Sequence, residues 1–279
     1  MGVMNEERKQ TRVIAVTGAT GAIGTAIARQ IAAIPDHEVV LICRDPVRAA
    51  QCTKHITRIT GNQRVRIQLA DLSRRSEIQA LAQNWDGPLD VLINNAAVTP
   101  PHITHTPEGI ELQFATNVLG YFWMIEMFAK RLADSDDSRI VNVASYWAGG
   151  LNLDDLEFKR RGYDNDAAYR QSKQADRMLT VAFAKRLKPL GISVNACHPG
   201  DVKSKLSNDL GFGGHESPDQ GARTPVWLAL DVEGGRYSGQ YFQYQRVTKC
   251  AFSEDEDAIE SLFAACQSYR ASSGSDTDP

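Results

Sequence analysis

Residues 12–34 constrain this chain more than any other stretch. Arg12-Val-Ile-Ala-Val-Thr17 is a short apolar run, and Gly18-Ala-Thr-Gly21-Ala22-Ile23-Gly24 follows at once. Residues 25–34 then have helical periodicity. The order is strand, glycine turn, helix. Glycines let the backbone turn tightly, approach a pyrophosphate and pack the helix close to the strand, and the helix start offers free N–H groups to phosphate. A glycine-rich turn without a ligand is the alternative, but here the flanking strand and helix that the motif needs are both present. Gly18, Thr20, Gly21, Ala22, Ile23 and Gly24 are therefore candidate cofactor contacts.

The same alternation continues along the chain. Apolar runs at 12–17, 38–43, 64–69, 89–94, 138–144, 191–197 and 239–244 predict strands. Helical patterns at 22–34, 45–59, 74–84, 111–133, 167–188, 218–230 and 254–269 fill most of the gaps. Such alternation predicts an α/β fold, a doubly wound parallel sheet of Rossmann type flanked by helices. Ligands of these sheets lie outside the carboxyl ends of the strands. Gly18, Arg44, Asp71, Asn94, Ser145 and Pro199 all fall at such ends, so residues far apart in sequence are expected to share one crevice.

The second strand ends in Cys43-Arg44, with Arg44 20 residues after Gly24. An acid near this point would accept from ribose hydroxyls and select NAD. A guanidinium instead matches a 2′-phosphate in shape and charge, and Arg48 stands one helical turn on. Asp45 is a competing partner for Arg44. The expected cofactor is NADP(H) in preference to NAD(H).

Tyr169-Arg-Gln-Ser-Lys173 puts a phenol and an ammonium one above the other on a helix. A phenol titrates near 10 in water, too high for efficient proton exchange at neutral pH. A fixed ammonium one turn away favours the phenolate. Ser145, at the end of a predicted strand, is placed to hold a substrate oxygen beside that phenol. On an isolated amphipathic helix the pair reads as a half-buried Tyr and a solvated Lys. The nucleotide motif upstream is what turns it into a candidate site.

Taken in order, these motifs resemble the short-chain dehydrogenase/reductase family, from Val13 to about Phe242. They are the glycine turn, Asp71-Leu72, Asn94-Asn95-Ala96-Ala97, Asn117, Ser145, Tyr169 with Lys173, and His198-Pro199-Gly200. The 24 residues between Ser145 and Tyr169, the added segment from Asn152, Cys43-Arg44-Asp45 and Ser238-Gly-Gln-Tyr-Phe242 resemble the retinol-dehydrogenase-like branch. The glycine spacing GxxGxxG departs from the family's usual TGxxxGxG, which has glycine where this chain has Ala22.

The resemblance implies roles. Tyr169 is the general acid/base, and Lys173 lowers its pKa and holds the nicotinamide ribose. Ser145 donates to the substrate oxygen, and Asn117 helps hold a water chain that reprotonates Lys173. Asp71 and Leu72 meet the adenine. Asn94 stabilises the central sheet near the adenosine side, and Asn94, Asn95 and Ala96 are candidate cofactor contacts. Pro199, Gly200, Val202 and Ser204 face the carboxamide side. The implied reaction is the interconversion of a carbonyl and an alcohol on a small, apolar or amphipathic substrate. Two other readings stay open: a non-catalytic NADP(H)-binding redox sensor, and a C=C reductase related to protochlorophyllide reductases. The glycine-rich segment 203–220, with Leu206, Leu210 and Phe212, reads as a mobile loop over the substrate.

Composition narrows the classes. The chain has 279 residues, 42% of them hydrophobic, enough for one large core. The expected organisation is one domain over 1–271 and a disordered tail at 272–279. A net charge of −3 argues against nucleic acid and against a polybasic membrane anchor. Residues 1–11 are polar and charged, so no leader or membrane anchor of the retinol-dehydrogenase kind is expected there. For that reason the resemblance does not imply a retinoid substrate. The five cysteines lack metal spacing and read as reduced thiols in a cytoplasmic setting. His102-x-x-His105 has no evident third ligand, so no metal is expected. The resemblance to the family further implies a homodimer through the helices at 111–133 and 167–188.

Overall fold

The computed structural model describes residues 12–270. The polar start at 1–11 and the expected tail at 272–279 lie outside them. Eight strands form one sheet in the order β3-β2-β1-β4-β5-β6-β7-β8. These are β1 (Val13–Thr17), β2 (Glu38–Cys43), β3 (Val65–Leu69), β4 (Val91–Asn94), β5 (Arg139–Val143), β6 (Ser193–His198), β7 (Tyr241–Gln243) and β8 (Arg246–Val247). All pairs are parallel except β7 with β8. The order reverses between β1 and β4, the switch point at which such sheets open a crevice for a dinucleotide.

The central strands β1, β4 and β5 are buried along their whole length. That is why they read as largely apolar rather than alternating runs, with buried, hydrogen-bonded exceptions such as Asn94, Arg139 and Asn142. On one face pack α1 (Ala22–Ala32), α2 (Pro46–Thr60) and α7 (Pro218–Leu230). On the other pack α3 (Arg75–Gln83), α4 (Gly120–Leu132), α5 (Asn165–Leu187) and α8 (Glu256–Ser268). The short α6 (Lys205–Asp209) lies in the segment expected to be a loop.

The helix expected over 111–133 is broken into two. Phe114–Leu119 is a π-helical turn, and α4 begins only at Gly120. The Glu111 carboxylate accepts from the Gln113 and Phe114 N–H groups and so caps the start of this turn. Hydrophobic periodicity cannot separate a π turn from an α turn, because both bury the same face.

Helix α8 lies across α4 and α5. Phe263 meets the rings of Phe122 on α4 and Phe183 on α5, at 5.0 and 5.2 Å. Ion pairs Arg186–Glu260 and Arg270–Glu126 fasten the two ends of the contact. The α4 and α5 surfaces expected to pair two copies are thus partly covered by the chain's own last helix.

Candidate active site

The turn after β1 is built on close approach. Gly18 has φ of +62°, and a Cβ there would lie 2.8 Å from Ala96 Cα. A Cβ on Gly24 would lie 2.3 Å from the Gly18 carbonyl and 2.7 Å from Asn95 Nδ2. Only glycine allows α1 to start this near the sheet. Asn95 locks the turn from the other side, its Nδ2 donating to the Thr17 carbonyl at 2.9 Å. The Thr17 hydroxyl accepts from the Asn95 and Ala96 N–H groups. Gly21 caps α1 with no side-chain acceptor, so Ala22 and Ile23 open the helix without a competing cap. A cradle of this kind, narrow and lined by backbone N–H, fits the pyrophosphate of a dinucleotide.

Beside it, two guanidiniums flank the ends of β2 and α2. Arg48 Nη2 donates to the Thr20 carbonyl at 3.0 Å. Arg44 is largely exposed, with Nη1 3.9 Å from Asp71 Oδ2. Asp71 is itself held, its Oδ1 accepting from the Ser73 N–H and hydroxyl. Leu72 is buried, and its carbonyl stands where a Cβ on Gly120 would come within 2.8 Å. Asn94 has a different place from the cofactor contact expected of it. It is fully buried, and its Nδ2 donates to Asn142 Oδ1 across β4 and β5 at 3.0 Å. Asn142 passes the link on to Thr180 on α5. The side chain of Asn94 therefore ties the sheet to a helix and does not face the crevice.

At the end of β5, Ser145, Tyr169 and Lys173 come together from residues far apart in sequence. The Ser145 hydroxyl stands in hydrogen-bonding reach of the Tyr169 phenol. Ser145 Oγ also accepts from the Trp147 N–H at 3.0 Å, which occupies a lone pair and leaves its proton available to donate. Lys173 Nζ donates to the Val143 carbonyl at 3.0 Å and to Asp176 Oδ2 at 2.8 Å. It lies 5.1 Å from the Tyr121 ring centroid and 6.0 Å from that of Tyr169.

The electrostatics differ from expectation in one respect. Burial pushes the Tyr169 phenol above its ordinary value. Lys173 and Ser145 pull it back, Asp176 opposes them, and the net direction is upward. The expected lowering by Lys173 is present but outweighed, because the phenol is only 6% exposed and the ammonium already has a carboxylate partner. Burial works against the Lys173 charge too, but Asp176 and the two phenols outweigh it and hold the ammonium above its ordinary value.

Asn117 lies inside the π turn, fully buried. Its Oδ1 accepts from the Val98 N–H, and its Nδ2 donates to the Val98 carbonyl and to Ser172 Oγ. The side-chain amide is thus fully engaged by protein partners. Asn117 pins the segment after β4 to α5.

Pro199-Gly200 follows β6. A Cβ on Gly200, at φ of +100°, would collide with the Glu216 carboxylate, whose Oε2 accepts from the Asp201 N–H at 2.6 Å. Val202 bridges to Glu216 and is buried. Ser204, expected to contact the carboxamide, is the cap of α6, and its Oγ accepts from the Ser207 N–H at 3.0 Å. Over the site, Trp147 and Phe212 stack at 5.2 Å, and Tyr146 meets His198 edge-on at 4.8 Å. Burial, with Arg177 nearby, holds the His198 imidazole down to about 4, so it is neutral at pH 7.

The backbone hydrogen bonds that close segment 203–217 lie at its base, from Lys203 N–H to the Glu216 carbonyl and from the His215 and Glu216 N–H groups to the Asp201 carbonyl, and the Phe212 ring meets Trp147 above. Its one helix has five residues. Residues 204–213 are expected to exchange amide hydrogens faster than the β5 and β6 strands beneath them in the unliganded protein. Equally slow exchange in both would contradict a lid.

Sequence reasoning missed Asp176 and Arg177. Arg177 is buried, and its Nη2 donates to the Ser145 carbonyl and, at 2.8 Å, to the Tyr241 hydroxyl. Its partner lies 64 residues away, which no local pattern shows. Asp176 was visible as an acid three residues after Lys173, close enough on a helix to reach it.

The model of the short chain dehydrogenase family matches residues 12–211. The chain belongs to this family. Mouse retinol dehydrogenase 13 is 34% identical over 274 residues, covering 90% of this chain and 81% of that protein. Human retinol dehydrogenase 11 is 34% identical, covering 83% of this chain and 76% of its own. These relatives place it in the retinol-dehydrogenase-like branch. A crystal structure of an uncharacterized protein from Mycobacterium paratuberculosis superposes with a TM-score of 0.77 at 27% identity, covering 92% of each chain. Among the described residues no helix is long and apolar enough to cross a membrane, and no three metal-ligating side chains cluster. All five cysteines are free and buried.

Proposed function

We propose that this protein is an NADP(H)-dependent oxidoreductase that interconverts a carbonyl and an alcohol on a small apolar or amphipathic substrate. The observation that carries the reading is the convergence of Ser145, Tyr169 and Lys173 on the crevice edge where the glycine turn also opens. The name of the relatives, retinol dehydrogenase, supports the alcohol/carbonyl class.

The dinucleotide, when bound, supplies the hydride. The turn from Gly18 to Gly24 would hold its pyrophosphate, and Arg44 and Arg48 would hold a 2′-phosphate. Asp71 and Leu72 would meet its adenine, and Lys173 would hold its nicotinamide ribose. Ser145 donates its free proton to the substrate oxygen and fixes it against the Tyr169 hydroxyl. Tyr169 gives its proton at Oη to the developing alkoxide in reduction and takes it back in oxidation. Lys173 keeps positive charge near that oxygen throughout. Trp147, Phe212 and Tyr146 give the entrance an apolar, aromatic wall and exclude water. The cytoplasmic setting belongs to the same reading, with buried thiols in keeping with it.

The test is NADPH consumption against a mixed panel of aldehydes, ketones and enones, beside an NADPH binding titration. Turnover of aldehydes or ketones is the expected result. Binding without turnover on any member would point to a sensor, and turnover of enones alone would point to a C=C reductase.

A further inference from the structure

Lys173 is 2% exposed and Asp176 1%, so the 2.8 Å pair between them is buried. Three observations set this pair apart from an ordinary helix ion pair. Asp176 Oδ1 is buried without a hydrogen-bond partner, so the carboxylate is held there by Lys173 alone on one oxygen. Lys173 is turned toward the β5 carbonyl of Val143 and toward Asp176. Its distance to the Tyr121 ring is shorter than to the Tyr169 ring.

We propose that Asp176 is a positioning residue that draws Lys173 back toward β5 and offsets its charge, so that it sets how strongly the ammonium acts on the Tyr169 phenol. The inference rests on the reading of Tyr169 as the acid–base group. A charge buried beside an opposite charge acts at a distance as a dipole, and its field at a third group is weakened. The charged and titratable groups facing Asp176 are Lys173 and Arg177 on α5, Tyr169 one turn before Lys173, Tyr121 from α4 and Cys266 from α8. The cations among them are Lys173 and Arg177, and both favour the carboxylate. Burial alone drives Asp176 the other way, toward the neutral acid. In the direction that matters here, the Asp176 charge raises the Tyr169 phenol and Lys173 lowers it.

The sign of the test follows. Asp176→Asn keeps shape and an acceptor for Lys173 but removes the negative charge. The ammonium then acts undiminished, and the Tyr169 phenolate midpoint is expected to fall by about 1 pH unit or more. It is read by ultraviolet difference titration, with Tyr169→Phe in each background isolating this phenol from the other tyrosines. Asp176→Glu retains the charge and is expected to keep the midpoint near that of the parent protein. A purely packing role would instead make the longer Glu the more disruptive of the two.

If the Asn variant does not fold, Asp176→Ser, which also removes the charge while leaving Lys173 in place, is titrated instead. The same fall in the midpoint is expected there. A midpoint that is unchanged or moves upward in the Asn variant overturns the proposal. The titration needs no substrate. Failure of the panel to turn over would therefore strike the functional reading and leave this measurement standing, and the reverse also holds.

Discussion

Replacing Tyr169 with Phe is expected to lower turnover on the best panel substrate by about 10²–10⁴-fold, the usual contribution of a positioned acid–base group. The change keeps the ring in its buried place and removes only the hydroxyl that faces Ser145. NADPH affinity should change little, because the glycine turn and the two arginines lie at the other end of the crevice. Lys173→Ala is expected to be worse in two ways. It removes the cation near Tyr169, and it leaves Asp176 as a buried carboxylate without its partner. Stranding one member of a buried pair costs about 3–5 kcal/mol of stability. Turnover of that variant must therefore be measured well below its own unfolding midpoint. The two substitutions should be non-additive, since both act on one proton transfer. The measurements are kcat, an NADPH titration and a denaturation curve for each variant. Near-normal turnover in Tyr169→Phe would remove Tyr169 from the mechanism.

Much of this architecture can be read from residues alone, for a physical reason. Strand stretches buried on both faces, such as residues 39–43, are apolar throughout, and the helices between them must show one apolar stripe. The positions of Gly18, Ser145, Tyr169 and Lys173 at strand ends and on one helix face follow from those elements. What stays hidden depends on contacts between distant segments or on backbone geometry with no side-chain signature. The π turn around Asn117 buries the same residues an α turn would. Strand β8 is two exposed residues with no pattern. Helix α6 sits among glycines, and its only local signal is the Ser204–Ser207 capping pair. The net rise of the Tyr169 phenol was illegible because it depends on how deeply α5 is buried. That α8 covers α4 and α5 was equally hidden, since an apolar helix face does not say which surface it will meet.

Arg44→Ala is expected to weaken NADPH by about 1.5–3 kcal/mol, roughly 10- to 150-fold, and NADH far less. Arg44 reaches out from the end of β2 and is mostly exposed, and its one ion pair, to Asp71, spans 3.9 Å. An exposed pair of that length adds little to folding, so the variant should be as stable as the parent. The pair matters for binding instead. Asp71 is fixed by Ser73 and cannot move away. Once the guanidinium is gone, a 2′-phosphate meets the Asp71 carboxylate with only the more distant Arg74 charge to offset it, and repulsion adds to the lost charge-assisted contact. Asp71→Asn in the Arg44→Ala background should therefore recover part of the NADPH affinity. Arg48→Ala should cost less than Arg44→Ala, because Arg48 is already engaged by the Thr20 carbonyl. Rising salt should weaken NADPH more steeply than NADH in the parent protein and should nearly equalise the two in Arg44→Ala. Fluorescence titrations of both cofactors at two ionic strengths carry the whole comparison. An equal loss for NADPH and NADH on removing Arg44 would mean that this arginine does not read the phosphate, and the preference for NADP(H) would then have no residue behind it.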